Sequence, residues 1–139
     1  EKFIQLEQAA FADTGSPHYM VFKNDISRIN VKEEGAKIRF SPTYKKEGVN
    51  VNYIQIIGEN HLKVRTYERG VEDETFACGT GATACALYYL NKGNNGKFLV
   101  KVDVLGGTLF IQAEKKGNRF KNIWLQGPAE PVFKGSIDV

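Results

Sequence analysis

The sequence predicts an α+β domain in which a curved, mostly antiparallel β-sheet or barrel wraps around one central buried α-helix. Two observations support this fold class. About seven β-rich runs are separated by turn signals. One stretch, Ala82 to Asn91, is nearly apolar all round, which is typical of a helix that is buried on most of its faces. The 139 residues show no linker or repeat, so residues 1–139 are predicted to form a single domain.

The strands are predicted from apolar runs that end at turn residues. In chain order they cover residues 1–11, 18–22, 49–57, 61–67, 98–105, 108–113 and 120–125. Residues 49–57 and 61–67 are predicted to form a hairpin around Gly58-Glu-Asn60. Residues 98–105 and 108–113 are predicted to form a second hairpin around Gly106-Gly107.

Two helices are predicted. The helix over Ala82 to Asn91 is rich in Ala, Leu and Tyr, and the glycine and asparagine run at 93–96 stops it. A second, short helix is predicted over Gly35 to Tyr44, where Pro42 limits its length.

Composition and charge exclude several classes of protein. The net charge of +3 (19 basic against 16 acidic residues) is too small to indicate nucleic-acid binding. No apolar run approaches the roughly 18 residues that a membrane-spanning helix needs, and the first residues lack the features of a signal peptide. With two cysteines, the chain is not a disulfide framework. We therefore expect a cytoplasmic protein without nucleic-acid or membrane partners.

Cys78 lies in a glycine-rich turn, Ala77 to Ala82, at the start of the buried helix. Free backbone N–H groups and the positive end of the helix dipole stabilise a thiolate there. The N–H groups of Gly79, Thr80 and Gly81 can also hold a carboxylate. A thiolate beside a bound carboxylate can remove the proton from the adjacent carbon as a general base. Such chemistry needs no metal or cofactor if enough dipoles hold the carboxylate.

Both cysteines also have a purely structural interpretation. Cysteine often acts as a small buried apolar side chain, and this interpretation suits Cys85, which lies in the middle of the apolar helix. Cys85 cannot pair with Cys78, because seven helical residues separate the two by about 10 Å along the axis. The local pattern alone leaves both interpretations of Cys78 open.

Three motifs in order resemble the C-terminal half of diaminopimelate epimerases. They are Thr-Gly-Ser-Pro-His at 14–18, Val-Asn-Val-Asn-Tyr at 49–53 and Arg-Thr-Tyr-Glu-Arg-Gly…Ala-Cys-Gly-Thr-Gly-Ala at 65–82. The resemblance implies interconversion of LL- and meso-diaminopimelate in lysine and peptidoglycan precursor synthesis. It also implies two related domains, each giving one cysteine to the cleft between them, and no cofactor.

The resemblance also implies roles for individual residues. Cys78 is the acid/base of this half, and Glu68 and His18 flank the site and support the reacting groups. Gly79 and Thr80 supply N–H groups to the reacting carboxylate. Arg69 and Asn50 hold the distal end of the substrate, where a planar guanidinium suits a carboxylate.

Each of these residues has a structural alternative. Arg69 and Glu68 can form a surface ion pair, which stabilises a protein little. Asn50 can cap the entry to a strand, and His18 can be a core histidine with satisfied hydrogen bonds. The Thr80 hydroxyl can cap the helix, which is compatible with substrate binding.

The chain departs from the family pattern at two points. Ser16 stands where many members have asparagine before Pro-His, and the family's N-terminal half with its own cysteine is absent. We therefore expect that the chain alone does not epimerise, and that its partners are the amino-acid substrate, the missing half and a possible second copy in a homodimer. Two alternatives stay open. The first is an enzyme of the proline racemase or hydroxyproline epimerase type, and the second is a non-catalytic amino-acid-binding module.

Overall fold

A computed structural model describes residues 4–5 and 9–139 of the chain. The strands are β1 (Ile4–Gln5), β2 (Ala10–Asp13), β3 (Pro17–Phe22), β4 (Asn50–Gly58), β5 (His61–Glu68), β6 (Asp73–Thr75), β7 (Gly96–Val104), β8 (Gly107–Lys116) and β9 (Arg119–Gln126). The helices are α1 (Val31–Arg39) and α2 (Gly79–Asn91). In this described part of the chain, neither helix has the length and apolar character needed to cross a membrane.

All these strands belong to one sheet with the order β1-β2-β3-β4-β5-β7-β8-β9, and β6 pairs with β5 beside this path. The pairs β3–β4 and β5–β7 are parallel, whereas the other described pairs are antiparallel. Both predicted hairpins are present, since β4 pairs with β5 and β7 pairs with β8. The prediction of a mostly antiparallel sheet is confirmed.

Helix α2 is the centre of the fold. It packs against β2, which is near one end of the strand order, and against β9, which is at the other end. The sheet must therefore curve around the helix. Most of the helix surface is buried, including Ala84, Cys85 and Leu87. The predicted buried central helix is confirmed, although it begins three residues earlier, at Gly79, because the extended backbone of Cys78 (φ −132°, ψ 105°) forms its N-cap.

The predicted position of the second helix is wrong. The sequence suggested residues 35–44, but α1 covers residues 31–39. The Asn30 side chain caps the helix by accepting a hydrogen bond from the Glu33 backbone N–H, and Phe40 ends it. Residues 42–47 then form turns. The capping asparagine was the signal that the periodicity argument missed.

The strand predictions need two corrections. Residues 1–11 were predicted as one strand, yet the described parts are β1 and β2, and β2 extends to Asp13. Residues 1–3 and 6–8 of that prediction lie outside the described residues. Strand β6 was not predicted, because its three residues carry no apolar alternation. It forms because Asp73 pairs in register with Glu68 of β5.

The sheet separates two apolar cores. The larger core surrounds α2, and the smaller one lies between the opposite face of the sheet and α1. Strand β4 contributes to both because its side chains alternate. Val51 and Tyr53 belong to the core near α1, whereas Ile54 belongs to the core near α2. Asn50 and Asn52 therefore share the α2 face with Ile54.

We expect Gly35→Ala to destabilise the protein, although alanine is the better helix former. An added Cβ at Gly35 would lie 2.6 Å from Cγ and 2.8 Å from Cδ2 of Tyr67, and Tyr67 is fully buried. Helix propensity alone would add about 1 kcal/mol to the free energy of unfolding. Overpacking costs about 1–3 kcal/mol, so we expect a net loss of up to about 2 kcal/mol.

Urea unfolding of Gly35→Ala measures this effect directly. Lys37→Ala is the control within the same helix, because Lys37 is exposed and makes only surface ion pairs. A Gly35→Ala protein that unfolds at higher urea than the parent would show that α1 does not pack tightly on Tyr67.

Candidate active site

Cys78 lies at the positive end of α2, as the sequence indicated, and its side chain is half-buried. The first bond of the helical ladder joins the Ala82 N–H to the Cys78 carbonyl at 2.9 Å. The N–H groups of Gly79, Thr80 and Gly81 precede this bond and have no acceptor inside the helix. Together with the helix dipole, they form a place where a thiolate or a carboxylate is favoured.

Gly81 is the point at which the site residues converge. A Cβ at this position would lie 2.6 Å from Oδ1 of Asn52, 3.2 Å from Sγ of Cys78 and 3.3 Å from Cε1 of His18. The absence of a side chain therefore allows the first turn of α2 to lie directly against β3 and β4. The close approach, rather than a special backbone angle, requires glycine here.

His18 is fully buried between the strands and the start of α2. Its Nε2 atom lies 3.0 Å from Oγ of Ser16 and 3.0 Å from Oγ1 of Thr80. Its Nδ1 atom lies 3.1 Å from Nδ2 of Asn52. Burial lowers the pKa of His18 from 6.5 to about 4, the Asp13 carboxylate opposes this shift, and the Arg69 charge adds to it. His18 is therefore neutral at physiological pH.

We expect His18 to make the folded protein less stable as the pH falls from about 7 to 4. Its pKa in the fold, about 4, is below its ordinary value of 6.5. Between these values the unfolded chain binds a proton that the native state does not bind, so the free energy of unfolding falls. Below about pH 4 both states are protonated and this contribution ends. The total effect is at most about 3 kcal/mol.

Urea unfolding at pH 7 and pH 5 measures this loss, with His18→Gln as the comparison. The parent should lose more stability than the variant, since glutamine does not titrate. Equal losses in both proteins would show that His18 is accessible to protons in the folded state.

Asn50 and Arg69 are linked through the Asn50 side chain and the Arg69 backbone, not through the Arg69 guanidinium. Asn50 uses Nδ2 to donate to Oγ of Ser16 at 3.0 Å and to the Pro17 carbonyl at 3.1 Å. Its Oδ1 accepts the backbone N–H of Arg69 at 2.8 Å. The Arg69 guanidinium donates through Nη1 to the Glu47 carbonyl at 2.8 Å. The buried Asn50 therefore holds the backbone of Arg69 next to Ser16.

Glu68 and Arg69 are bound to different groups. The Glu68 carboxylate accepts a hydrogen bond from the Thr75 hydroxyl at 2.9 Å, whereas Arg69 donates to the Glu47 carbonyl. Thr75 ends β6 and lies three residues before Cys78. The short unpredicted strand therefore holds Glu68 against the segment that leads to the thiol.

A cavity of about 290 Å³ adjoins the start of α2. It is lined by Thr14, Gly79, Thr80, Thr83, Ile123 and Leu125. Thr80 is exposed, and its hydroxyl lies 3.6 Å from the Cys78 sulfur. A larger cavity of about 510 Å³ lies on the opposite face of the sheet beside α1, but none of the predicted site residues lines it. Gly79 and Thr80 are the predicted site residues that line the smaller cavity, which is therefore the candidate binding site.

Cys85 is fully buried in the core around α2, where burial raises the pKa of its thiol, so its predicted structural role is confirmed. Across residues 4–5 and 9–139, no three His, Cys, Asp or Glu side chains are grouped to hold a metal ion.

Sequence reasoning missed Asn52 and Thr66. Asn52 is fully buried and contacts His18, and its Oδ1 accepts the Thr66 hydroxyl at 2.9 Å. A signal was available, because Asn50 and Asn52 are two residues apart in a β-rich run and so share one face. An asparagine inside a buried strand needs hydrogen-bond partners, which makes it a candidate for a site.

Comparisons with a family model and with curated proteins point to the same family. The family model described as diaminopimelate epimerase matches residues 10–132. The chain is 44% identical over 127 residues to the diaminopimelate epimerase of Flavobacterium psychrophilum and 41% identical over 128 residues to that of Chlorobaculum tepidum. Each alignment covers 91% of this chain but only 50% and 49% of the two relatives. The chain thus spans about half the length of the curated relatives it matches.

A solved structure also resembles the fold. It is described as a predicted epimerase from Pseudomonas aeruginosa, with a TM-score of 0.55 and 10% sequence identity. The match covers 76% of this chain and 36% of that chain. At this identity the likeness supports the curved sheet around a helix and nothing further.

Proposed function

Because this chain belongs to the diaminopimelate epimerase family, we propose that it is the C-terminal half of an enzyme that interconverts LL- and meso-diaminopimelate without a cofactor. The observation that carries the proposal is the position of Cys78. Its sulfur lies at the N-terminus of a buried helix, beside three backbone N–H groups that have no acceptor within the helix. This arrangement provides a base and a carboxylate site next to each other.

The proposed reaction moves one proton. The Cys78 thiolate takes the proton from the α-carbon, and the electron pair that remains is delocalised into the adjacent carboxylate. The N–H groups of Gly79 and Thr80 hold that carboxylate and stabilise the charge that develops on it. A thiol on the opposite side of the carbon donates a proton to the other face, which inverts the configuration. In the reverse direction the two sulfurs exchange roles.

The remaining residues position the substrate and the reacting groups. We propose that Arg69 binds the distal carboxylate, since its guanidinium fork matches two carboxylate oxygens. Asn50 supports this binding by holding the Arg69 backbone and the Ser16 hydroxyl. Glu68, fixed by Thr75, lies at the end of the strand that leads to Arg69 and helps to orient the reacting groups.

The second thiol is proposed to come from another half of the protein. Exposed apolar side chains lie beside Cys78. Phe76 is 77% exposed, and Leu125 is 49% exposed and lines the same cavity as Gly79. A second domain that closes the site would cover this surface and exclude water from it. We therefore propose that the chain alone does not epimerise. Homodimer formation and a cytoplasmic location stay predictions.

Exchange of the substrate α-proton in deuterated water tests the function. We expect the gene product that carries both halves to exchange the α-proton of LL- and meso-diaminopimelate, but not that of proline or hydroxyproline. Their single carboxylate leaves Arg69 without a partner. Exchange with proline alone would show that the protein is a proline-type epimerase instead. No exchange with any of these amino acids would favour a non-catalytic binding module.

A further inference from the structure

Two buried asparagines set the direction of the hydrogen bonds in the site. Nδ2 of Asn52 lies 3.2 Å from the Tyr19 carbonyl, and Nδ2 of Asn50 lies 3.1 Å from the Pro17 carbonyl. A carbonyl oxygen only accepts, so each amide must present its NH₂ group to this side. The second hydrogen of each amide is then available as a donor to the interior of the site.

The Asn52 amide fixes the tautomer of His18. Its second hydrogen points to Nδ1 of His18 at 3.1 Å, so Nδ1 must accept and carries no proton. The proton of the neutral ring is therefore on Nε2. The Thr66 hydroxyl donates to Oδ1 of Asn52 at 2.9 Å, which is compatible with the amide orientation that the Tyr19 carbonyl fixes. This tautomer makes Nε2 a hydrogen-bond donor.

The Nε2 proton of His18 faces two hydroxyl groups. Nε2 lies 3.0 Å from Oγ1 of Thr80 and 3.0 Å from Oγ of Ser16. Oγ of Ser16 accepts from Asn50 at 3.0 Å and lies 3.5 Å from the same Thr80 oxygen. Both neighbours can therefore donate to Thr80, and the hydrogen of Thr80 is free to point elsewhere. Sγ of Cys78 lies 3.6 Å away, within the range of a hydrogen bond to sulfur.

We propose that Asn52 is a positioning residue that holds His18 as the neutral, Nε2-protonated tautomer, so that Thr80 donates its hydroxyl hydrogen to the Cys78 sulfur. The chain of donors runs from Thr66 and Asn52 through His18 and Thr80 to the thiolate. Histidine then acts as a fixed donor and not as a base. The inference rests on the proposed role of Cys78 as the thiolate base and adds to it the residues that favour the thiolate.

The charges around His18 agree with a neutral ring. The ring faces Asp13 from β2, Arg69 from the end of β5 and Cys78 from α2. The Asp13 carboxylate favours protonation, but burial and the Arg69 charge outweigh it. The His18 ring is therefore expected to stay neutral, with the same donor and acceptor atoms, near neutral pH.

Nitrogen NMR of the His18 ring tests the tautomer in the 139-residue chain without any variant. We expect a pyrrole-type signal for Nε2 and a pyridine-type signal for Nδ1 at pH 7. In Asn52→Asp, the carboxylate can only accept, so Nδ1 should become protonated. A proton on Nδ1 in the parent, or an unchanged ring in Asn52→Asp, would overturn the proposal.

Alkylation of Cys78 by iodoacetamide, located by peptide mass spectrometry, tests the effect on the thiolate. We expect Thr80→Val to react about tenfold more slowly at pH 7, because it loses a hydrogen bond to a charged sulfur. Thr80→Ser keeps the hydroxyl and should stay within about twofold of the parent. Asn52→Leu removes the amide donor and should react at least about threefold more slowly.

Thr108→Val is the matched control, because the Thr108 hydroxyl donates to the Asp103 carboxylate at 2.9 Å within the β7–β8 hairpin and takes no part in the network. Its alkylation rate should equal that of the parent. Equal rates for Thr80→Val and Thr108→Val would overturn the proposed donation to sulfur. Since neither measurement needs turnover, a failure here is distinguishable from a failure to epimerise diaminopimelate.

Discussion

Replacing Cys78 by serine in the protein that carries both halves should lower α-proton exchange of diaminopimelate by about 10²–10⁴-fold, the usual contribution of a general base. A serine hydroxyl occupies almost the same position but is a far weaker acid than a thiol, so little of it is ionised near neutral pH. The backbone N–H groups of Gly79 and Thr80 are unaltered. Substrate binding should therefore change much less than the exchange rate.

Cys85→Ala is the matched thiol control. Cys85 is fully buried in the core around α2 and lies about two helical turns from the N-cap, so its loss should leave the exchange rate per folded molecule near that of the parent. Exchange measured by NMR in deuterated water distinguishes the two variants. If Cys78→Ser exchanged as fast as the parent, the thiol would not be the base and the assignment of the site would be wrong.

Gly81→Ala is expected to damage both stability and the site. The new methyl group would lie 2.6 Å from Oδ1 of Asn52 and within 3.3 Å of Cys78 and His18. Neither the buried asparagine nor the helix backbone can move away freely. We expect a loss of about 1–3 kcal/mol in the free energy of unfolding from overpacking. Exchange should fall by about 10²-fold, because small displacements of reacting groups have effects of that size.

Gly58→Ala provides the comparison, since an added Cβ there meets nothing within 4 Å. Urea unfolding and the exchange assay on both variants separate a specific clash from a general sensitivity to alanine. A Gly81→Ala protein with the stability and exchange rate of Gly58→Ala would contradict the close approach of α2 to the sheet.

Local sequence patterns were sufficient to predict the main elements of the fold. The apolar run after Cys78 predicted the central helix, and the glycine turns predicted both hairpins, because helix periodicity and tight turns depend on residues close in sequence. The start of α1 was missed because the Asn30 cap is a single hydrogen bond. Strand β6 was missed because its pairing with β5, and not its composition, makes it a strand.

The candidate site likewise has one part that the sequence predicts and one part that depends on the tertiary structure. The sequence by itself determined that Cys78 lies at the start of a buried helix, next to glycines that leave the backbone N–H groups accessible. Only the tertiary structure decided what surrounds the thiol. The parallel pairing of β3 with β4 brings Asn52 to His18, and the close approach at Gly81 brings both to Thr80. These contacts join residues 34 to 62 positions apart, and their geometry depends on how the sheet curves around the helix, which no local pattern encodes.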